Sequence, residues 1–231
     1  FIWGPQQEAA METRNILTKP TAGLSESLKV FFAIPVISKK KAKDWYIVCS
    51  LLARTLDALI SQSDKNWRAI VCGQDKPENL HLDPRVNFIE FKEKEDTDLN
   101  RMDKFDKIRC IVKNLEADIP RDGYFHVLDQ DDTLHRDVVS YMLNKRDPNG
   151  YIINSGFMLA ADKISGRYLS PRNLLRFKFL SDTIPESCGS CMACHFDTRF
   201  PEIGFNFFNS IPWESHGAFE HLALILGRKL D

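Results

Sequence analysis

The sequence predicts an α/β fold with a mostly parallel central sheet flanked by helices. Short apolar segments rich in β-branched and aromatic residues alternate with segments whose apolar residues recur every three or four positions. The first pattern is typical of strands buried on both faces, and the second of amphipathic helices. Apolar residues make up 43% of the 231 residues, which provides enough side chains for a core and excludes a mainly disordered chain.

Four elements in the first half carry this prediction. Residues 29–38 predict a buried strand, and residues 39–43 a basic loop after it. Asp44 is the predicted N-cap of a helix. Residues 67–72 predict a second strand, and the alternation over residues 86–91 predicts a third strand with one exposed side. The order strand, helix, strand, strand favours right-handed crossovers. The apolar face of the helix comprises Val48, Leu52, Leu56 and Leu59.

A second helix is predicted over residues 103–118, and its first turn is rich in charges that include Asp103 and Lys107. Such charges are typical of a solvated helix start that compensates the helix dipole. The alternative is that a lysine reaches an anionic ligand at the helix N-terminus.

Three acids directly follow the next predicted strand, residues 124–128. They are Asp129, Asp131 and Asp132, with Gln130 between the first two. In open α/β sheets, ligands bind outside the carboxyl ends of the strands. Three carboxylates without an intervening base repel one another unless a cation lies among them, and hard oxygen donors suit Mg²⁺ or Mn²⁺. The alternative is an acidic turn that caps a helix beginning near Arg136.

The last third predicts fewer elements. Residues 151–159 predict one strand, with a bulge or a close approach to a ligand at residues 155–156. Ser170 and Pro171 predict the start of a short helix that continues over residues 174–180.

Composition excludes several classes of protein. Thirty-one basic and 32 acidic residues leave a formal charge of -1, so we expect no nucleic-acid partner. Apolar runs such as residues 30–36 are too short to cross a bilayer, so we expect no membrane span. We expect a cytoplasmic protein, with membrane association through partners as the alternative.

Residues 1–27 have a loop-like composition and no signal-peptide pattern. We therefore predict an N-terminal arm or linker over residues 1–27 and a single domain over residues 28–231.

Several of these segments, in this order, resemble a GT-A-type nucleotide-sugar glycosyltransferase in the style of the inverting family 2. Residues 34–36 resemble the first strand, whose end meets the nucleotide, and residues 55–67 the helix-to-strand passage of the family. Residues 68–75 resemble the second strand, where an Asp often contacts the base. Residues 129–132 resemble the DxDD signature. The resemblance extends over about residues 31–158.

The resemblance implies a GT-A (Rossmann-like) fold with a nucleotide-binding half, residues 28–134, and a smaller acceptor half, residues 135–231. It implies inverting transfer of a sugar from a nucleotide-diphosphate sugar to a hydroxyl of a carbohydrate or glycoconjugate acceptor, in polysaccharide or glycoconjugate synthesis. Mn²⁺ or Mg²⁺ would act as a Lewis acid on the departing diphosphate. The implied donor-binding residues are Pro35, Asp75, Asp103, Lys107 and Asp129, and the implied metal ligands are Asp129, Asp131 and Asp132.

The family also places a catalytic base in an acidic pair before a late helix, and that pair is not intact here. The matching residues, 213–217, contain Glu214 and His216. Glu214 is the first candidate for the base that takes the proton of the acceptor hydroxyl. His216 is a candidate base or third metal ligand.

Two alternatives to a transferase remain open. The incomplete acidic pair permits a non-catalytic sugar-nucleotide-binding module on the same fold. Alternatively, the chain is a redox or metal protein centred on Cys188, Cys191, Cys194 and His195, whose spacing matches a c-type haem site and permits a zinc site or a local disulfide. We expect instead a loop of thiols that shapes the acceptor pocket.

Overall fold

The apolar segments form the strands of a mixed, mostly parallel sheet in a computed structural model of the chain. The elements of the described part, in chain order, are β1 (Lys29–Pro35), α1 (Trp45–Ile60), β2 (Trp67–Gly73), β3 (Val86–Glu90), α2 (Lys104–Leu115), β4 (Asp122–Val127), α3 (Val138–Lys145), β5 (Gly150–Ile152), β6 (Gly156–Leu159), β7 (Gly166–Leu169) and β8 (Met192–Asp197). The structure describes residues 24–78, 80, 83–92, 103–115, 122–153, 155–159, 166–169, 190–199 and 230.

The larger sheet has the strand order β3-β2-β1-β4-β8-β5. Strands β1 to β4 are parallel, and β8 is antiparallel to both β4 and β5. In register, Phe32 of β1 lies opposite Ala69 of β2 and His126 of β4. The chain proceeds outward from β1 to β3 and then returns to the other side of β1. The strand order therefore reverses between β1 and β4, and such switch points are where ligands bind in open α/β sheets.

Helices cover both faces of this sheet. Val48, Leu52, Leu56 and Leu59 of α1 are buried in a core that also includes Val139 and Met142 of α3. The apolar side of α2 is buried in a separate core on the opposite face. Asp44 caps α1, since its carboxylate accepts a hydrogen bond from Ile47 N at 3.1 Å. The predicted strands, helices and N-cap of this half of the chain are confirmed, and the α/β class with them.

The prediction of one strand over residues 151–159 is wrong. Tyr151 belongs to β5, which pairs with β8, whereas Phe157 belongs to β6, which pairs with β7 in a separate two-stranded sheet. The two residues also differ in burial, because Tyr151 is 3% exposed and Phe157 is 73% exposed. Gly156 is the first residue of β6 and not a bulge within one strand. The helix predicted after Ser170 lies outside the described residues.

The prediction of a loop around Cys191, Cys194 and His195 is also wrong. Residues 192–197 form β8, which is buried along its whole length between β4 and β5. Cys194 faces the core beneath α2, whereas His195 stacks edge-on against Tyr124 on the other face, since neighbouring strand residues point to opposite faces. The thiol of Cys191 is free. Cys188 lies outside the described residues.

The described end of the predicted arm contacts the domain. Ser25 N donates a hydrogen bond to Asp122 Oδ2 at 2.9 Å, and the Arg146 guanidinium donates to the carbonyls of Leu24 and Ser25. Within the ranges that the structure describes, no helix has the length and apolar character that spanning a membrane requires.

Candidate functional site

Parallel strands place the residues that follow them at one edge of the sheet, and a buried ion pair lies at that edge. Lys107 of α2 is 1% exposed, and its Nζ donates to Asp103 Oδ1 at 2.9 Å and to the carbonyl of Val36, just after β1, at 2.7 Å. Gln74, just after β2, donates through Nε2 to Asp103 Oδ2 at 2.6 Å. Lys41 lies 3.8 Å from the same oxygen. The solvated helix start is therefore wrong for Lys107. Its ammonium group connects α2 to the end of β1, and its partner Asp103 connects α2 to the end of β2 through Gln74.

The pKa values of Asp103 and Lys107 are both lowered, but for different reasons. Burial alone would raise the pKa of Asp103, but hydrogen bonds from Lys107 and Gln74 outweigh it, and the pKa lies below its ordinary value. Burial lowers the pKa of Lys107, and the hydrogen bond that Lys107 donates to Asp103 offsets this only in part. Asp103 is therefore a carboxylate at neutral pH.

The acids after β4 form a turn and not an extension of the strand. The Asp132 N–H donates to the Asp129 carbonyl at 3.2 Å, so the i, i+2 alternation of a strand does not apply to Asp129 and Asp131. Asp129 Oδ1 lies 2.5 Å from Nζ of Lys104, the first residue of α2. No base lies between the three acids in the sequence, but a base from α2 neutralises one of them in the structure. The Asp129 N–H donates to Ser190 Oγ at 2.7 Å.

Desolvation and the neighbouring acids of the turn disfavour the charged form of Asp131. Desolvation, then the charges of Asp132 and Asp129, raise its pKa above the ordinary value. Its side chain nonetheless faces solvent, so screening limits the effect. A cation bound beside Asp131 would relieve this repulsion.

Gln130 connects the acidic turn to β1 and α1. Its Oε1 accepts a hydrogen bond from Ile37 N at 2.9 Å, and its carbonyl accepts one from Thr55 Oγ1 at 2.9 Å. Thr55 is fully buried within α1. These bonds cross the switch point between β1 and β4 and hold the turn against the end of β1.

An open cleft of about 540 Å³ lies at the ends of β2 and β3, next to the ion pair. Asp75 lines it and accepts a hydrogen bond from Lys39 N at 2.7 Å. Gln74 borders both the cleft and Asp103. This volume falls within the range of small-molecule sites in proteins. Its walls combine the aromatic side chains of Trp45 and Phe88 with charged groups that include Lys39, Glu78 and Glu90.

The structure brings the predicted residues of the first half to one edge of the sheet. Asp75, Asp103, Lys107 and the acidic turn all lie there, whereas Pro35 is buried as the last residue of β1, paired with Cys72. Glu214 and His216 lie outside the described residues. In the described ranges, no three side chains of His, Cys, Asp or Glu form a ready metal site. The metal ligands therefore remain a prediction.

Sequence reasoning did not assign roles to Gln74, Lys104, Gln130 and Ser190. Gln74 follows β2 directly and Lys104 lies in the charged first turn of α2. Their positions in the sequence could therefore have indicated that both lie near the site. Gln130 was visible only as the spacer of an acidic motif. Ser190 had no such signal, because it reaches Asp129 only through the antiparallel insertion of β8.

Comparison with protein-family models and with curated proteins finds no match to this chain.

Proposed function

We propose that the chain is a metal-dependent glycosyltransferase that binds a nucleotide-diphosphate sugar across the carboxyl edge of its sheet. The observation that carries the proposal is the cluster at this edge: a cleft, a buried Asp–Lys pair and an acidic turn follow β2, β1 and β4 in spatial order. The resemblance of residues 31–158 to the GT-A glycosyltransferases adds the reaction class.

The cleft suits the nucleoside end of such a donor. Trp45 and Phe88 offer aromatic surface for a base, and the carboxylate of Asp75 offers a hydrogen-bond acceptor. Neighbouring strands lie about 4.8 Å apart, so the end of β2 is roughly 10 Å from the end of β4. A nucleoside diphosphate can bridge that distance, which would bring its phosphates toward the acidic turn.

The donor chemistry of the turn fits a divalent cation. Asp131 and Asp132 are the residues that would hold Mn²⁺ or Mg²⁺, since Lys104 already neutralises Asp129. Mg²⁺ commonly binds through one or two carboxylates together with waters and substrate phosphates. Bound there, the ion would supply Lewis-acid stabilisation of a departing diphosphate.

The chain's own residues have separate roles in this proposal. Gln130 fixes the turn to β1, Lys104 limits the repulsion at Asp129, and Lys107 keeps Asp103 ionised beside the cleft. Glu214 remains the first candidate for the base that accepts the proton of the acceptor hydroxyl, with His216 as the alternative.

Replacing Asp131 by Asn tests the proposal. Donor binding is measured by calorimetry over a panel of nucleotide-diphosphate sugars. The original chain should bind the donor at least tenfold more tightly with Mn²⁺ than without it. Asp131→Asn should bind the donor equally with and without Mn²⁺. The stability of the variant should stay within about 0.5 kcal/mol, since the side chain is on the surface.

Asp57→Asn makes the same change at an exposed position of α1 and should keep the full metal effect. An undiminished effect of Mn²⁺ in Asp131→Asn would contradict the assignment of the turn.

A sugar-nucleotide-binding module without turnover is the second candidate. The ion pair between Lys104 and Asp129 favours it, because the lysine supplies part of the positive charge that a metal would otherwise provide. Such a module would bind the donor with or without Mn²⁺ and would release no nucleoside diphosphate in the presence of acceptor sugars. Metal-dependent release of nucleoside diphosphate would exclude it.

A further inference from the structure

The loop after β1 and the first turn of α1 form a surface that donor binding does not explain. Residues 37–47 contain four lysines and one acid. We define the basic–aromatic patch as the exposed side chains of Lys40, Lys43, Tyr46 and Ile47. Tyr46 is 82% exposed and Ile47 is 50% exposed, so two neighbouring residues with apolar surface lie on the outside of the protein.

The start of α1 fixes this arrangement. Asp44, the single acid of the segment, caps the helix by accepting from Ile47 N, so the first turn has a defined orientation. Val48 and Leu52 of the same helix pack into the core. Tyr46 and Ile47 lie on the outward side of the same helix, beside the exposed lysines of the loop.

The other two lysines of the loop face the candidate site. Lys41 lies 3.8 Å from Asp103, and Lys39 lines the cleft. Lys40 and Lys43 are both exposed to solvent. The loop therefore has two lysines at the candidate site and two at the exposed surface.

We propose that the basic–aromatic patch docks on the surface of an anionic phospholipid bilayer. Lysines near such a surface each strengthen binding roughly fivefold through the negative potential of its headgroups. Tyrosine favours the headgroup level of a membrane, and an apolar neighbour such as Ile47 can enter the boundary with the acyl chains. Docking would turn the carboxyl edge of the sheet toward the membrane.

Charge and apolarity together favour this partner over others. A second copy of the chain would bring the same positive patch against itself across a twofold axis, which is repulsive. A free phosphate would match the lysines but would leave Tyr46 and Ile47 in water. An anionic bilayer offers both a negative surface and an apolar layer beneath it.

Co-sedimentation of the full chain with vesicles tests the proposal in the absence of any nucleotide. We expect binding to vesicles of phosphatidylcholine with phosphatidylserine, weakened by added salt, and no binding to phosphatidylcholine alone. Lys40→Glu/Lys43→Glu should weaken binding at least about tenfold. Tyr46→Ser/Ile47→Ser should weaken it at least about fivefold with its charge unchanged.

Lys65→Glu/Lys145→Glu is the matched control, because it makes the same charge change at exposed positions outside the patch. Its binding should stay within twofold of the original chain, and circular dichroism of all variants should be unchanged.

The proposal is overturned by equal binding to phosphatidylcholine vesicles, or by patch variants that bind as the control does. It is also overturned if soluble glycerophosphoserine displaces the chain fully from the vesicles, because the ligand would then be a free anion. A third contradicting result is self-association in sedimentation without vesicles that the patch variants abolish. It does not rest on the proposed glycosyl transfer, because donor binding is measured separately.

Discussion

Lys107 contributes both to the packing of the fold and to the candidate site. Its ammonium group is buried against Asp103 and the Val36 carbonyl, so it connects α2 to the carboxyl end of β1. Removing one partner of a buried ion pair leaves the other charge without compensation, which costs more than the pair contributes. The charge pattern of α2 was visible in the sequence, but its burial depends on how α2 packs on the sheet.

Replacing Lys107 by Met should lower the free energy of unfolding in urea by about 3 kcal/mol. Asp103→Asn in the same chain should recover part of this loss, because the uncompensated carboxylate is then removed. Lys113→Met, at an exposed position of the same helix, is the control and should change stability by less than about 0.5 kcal/mol. A Lys107→Met variant as stable as Lys113→Met would show that the pair is not structural.

His126 makes stability depend on pH. Full burial lowers its pKa from 6.5 to about 4, although a hydrogen bond with the Ser190 carbonyl and the charge of Asp132 act in the opposite direction. The unfolded chain therefore binds a proton at higher pH than the folded chain does. The stability from this group is complete above pH 6.5 and falls by about 3 kcal/mol as pH falls from 6.5 to 4.

Urea unfolding of His126→Gln measures this contribution. Between pH 6.5 and 4, the free energy of unfolding of the variant should fall by about 3 kcal/mol less than that of the original chain. His135→Gln makes the same replacement at a site that is 75% exposed and serves as the comparison. Equal pH dependence of the original chain and His126→Gln would mean that His126 does not titrate as its burial implies.

At the scale of elements, local patterns predicted what each segment forms, and long-range pairing decided where it lies. The spacing of the apolar residues in α1 and the apolar run of β1 depend only on residues that are close in the sequence. Both elements were therefore predictable. Strand β8 was not, because its burial comes from its insertion between β4 and β5. The split between β5 and β6 was missed for the same reason, since period alone cannot show which partner a strand chooses.

Gly150 is where the pairing of β5 with β8 is most demanding. Its φ is +122°, and a Cβ there would lie 2.2 Å from the Ala193 carbonyl oxygen. Gly150→Ala should therefore lower the free energy of unfolding by about 3 kcal/mol. Gly73→Ala is the comparison, because its Cβ would meet Val36 at an ordinary 3.4 Å. Equal stability of the two variants would contradict the described pairing.

At the scale of the whole molecule, the switch point between β1 and β4 organises the candidate site. The parallel strands and the helices on both faces bring Gln74, Ile37 and the acidic turn to one edge, although they are far apart in sequence. The sequence predicted the acids at this edge, since ligands bind outside the carboxyl ends of the strands, and the resemblance to the GT-A glycosyltransferases implied Asp75, Asp103 and Lys107 for the same site. It did not predict the contact of Lys104 with Asp129, because that distance depends on the tilt of α2 over the sheet.

Electron paramagnetic resonance of Mn²⁺ tests the central claim most directly. In a titration of Mn²⁺ with a nucleotide-diphosphate sugar, adding the original chain should remove the free-ion signal in proportion to protein, and adding Asp131→Asn should not. If both proteins left the free-ion signal unchanged, or both removed it equally, the acidic turn after β4 would not be the place where a divalent cation and a sugar nucleotide bind together.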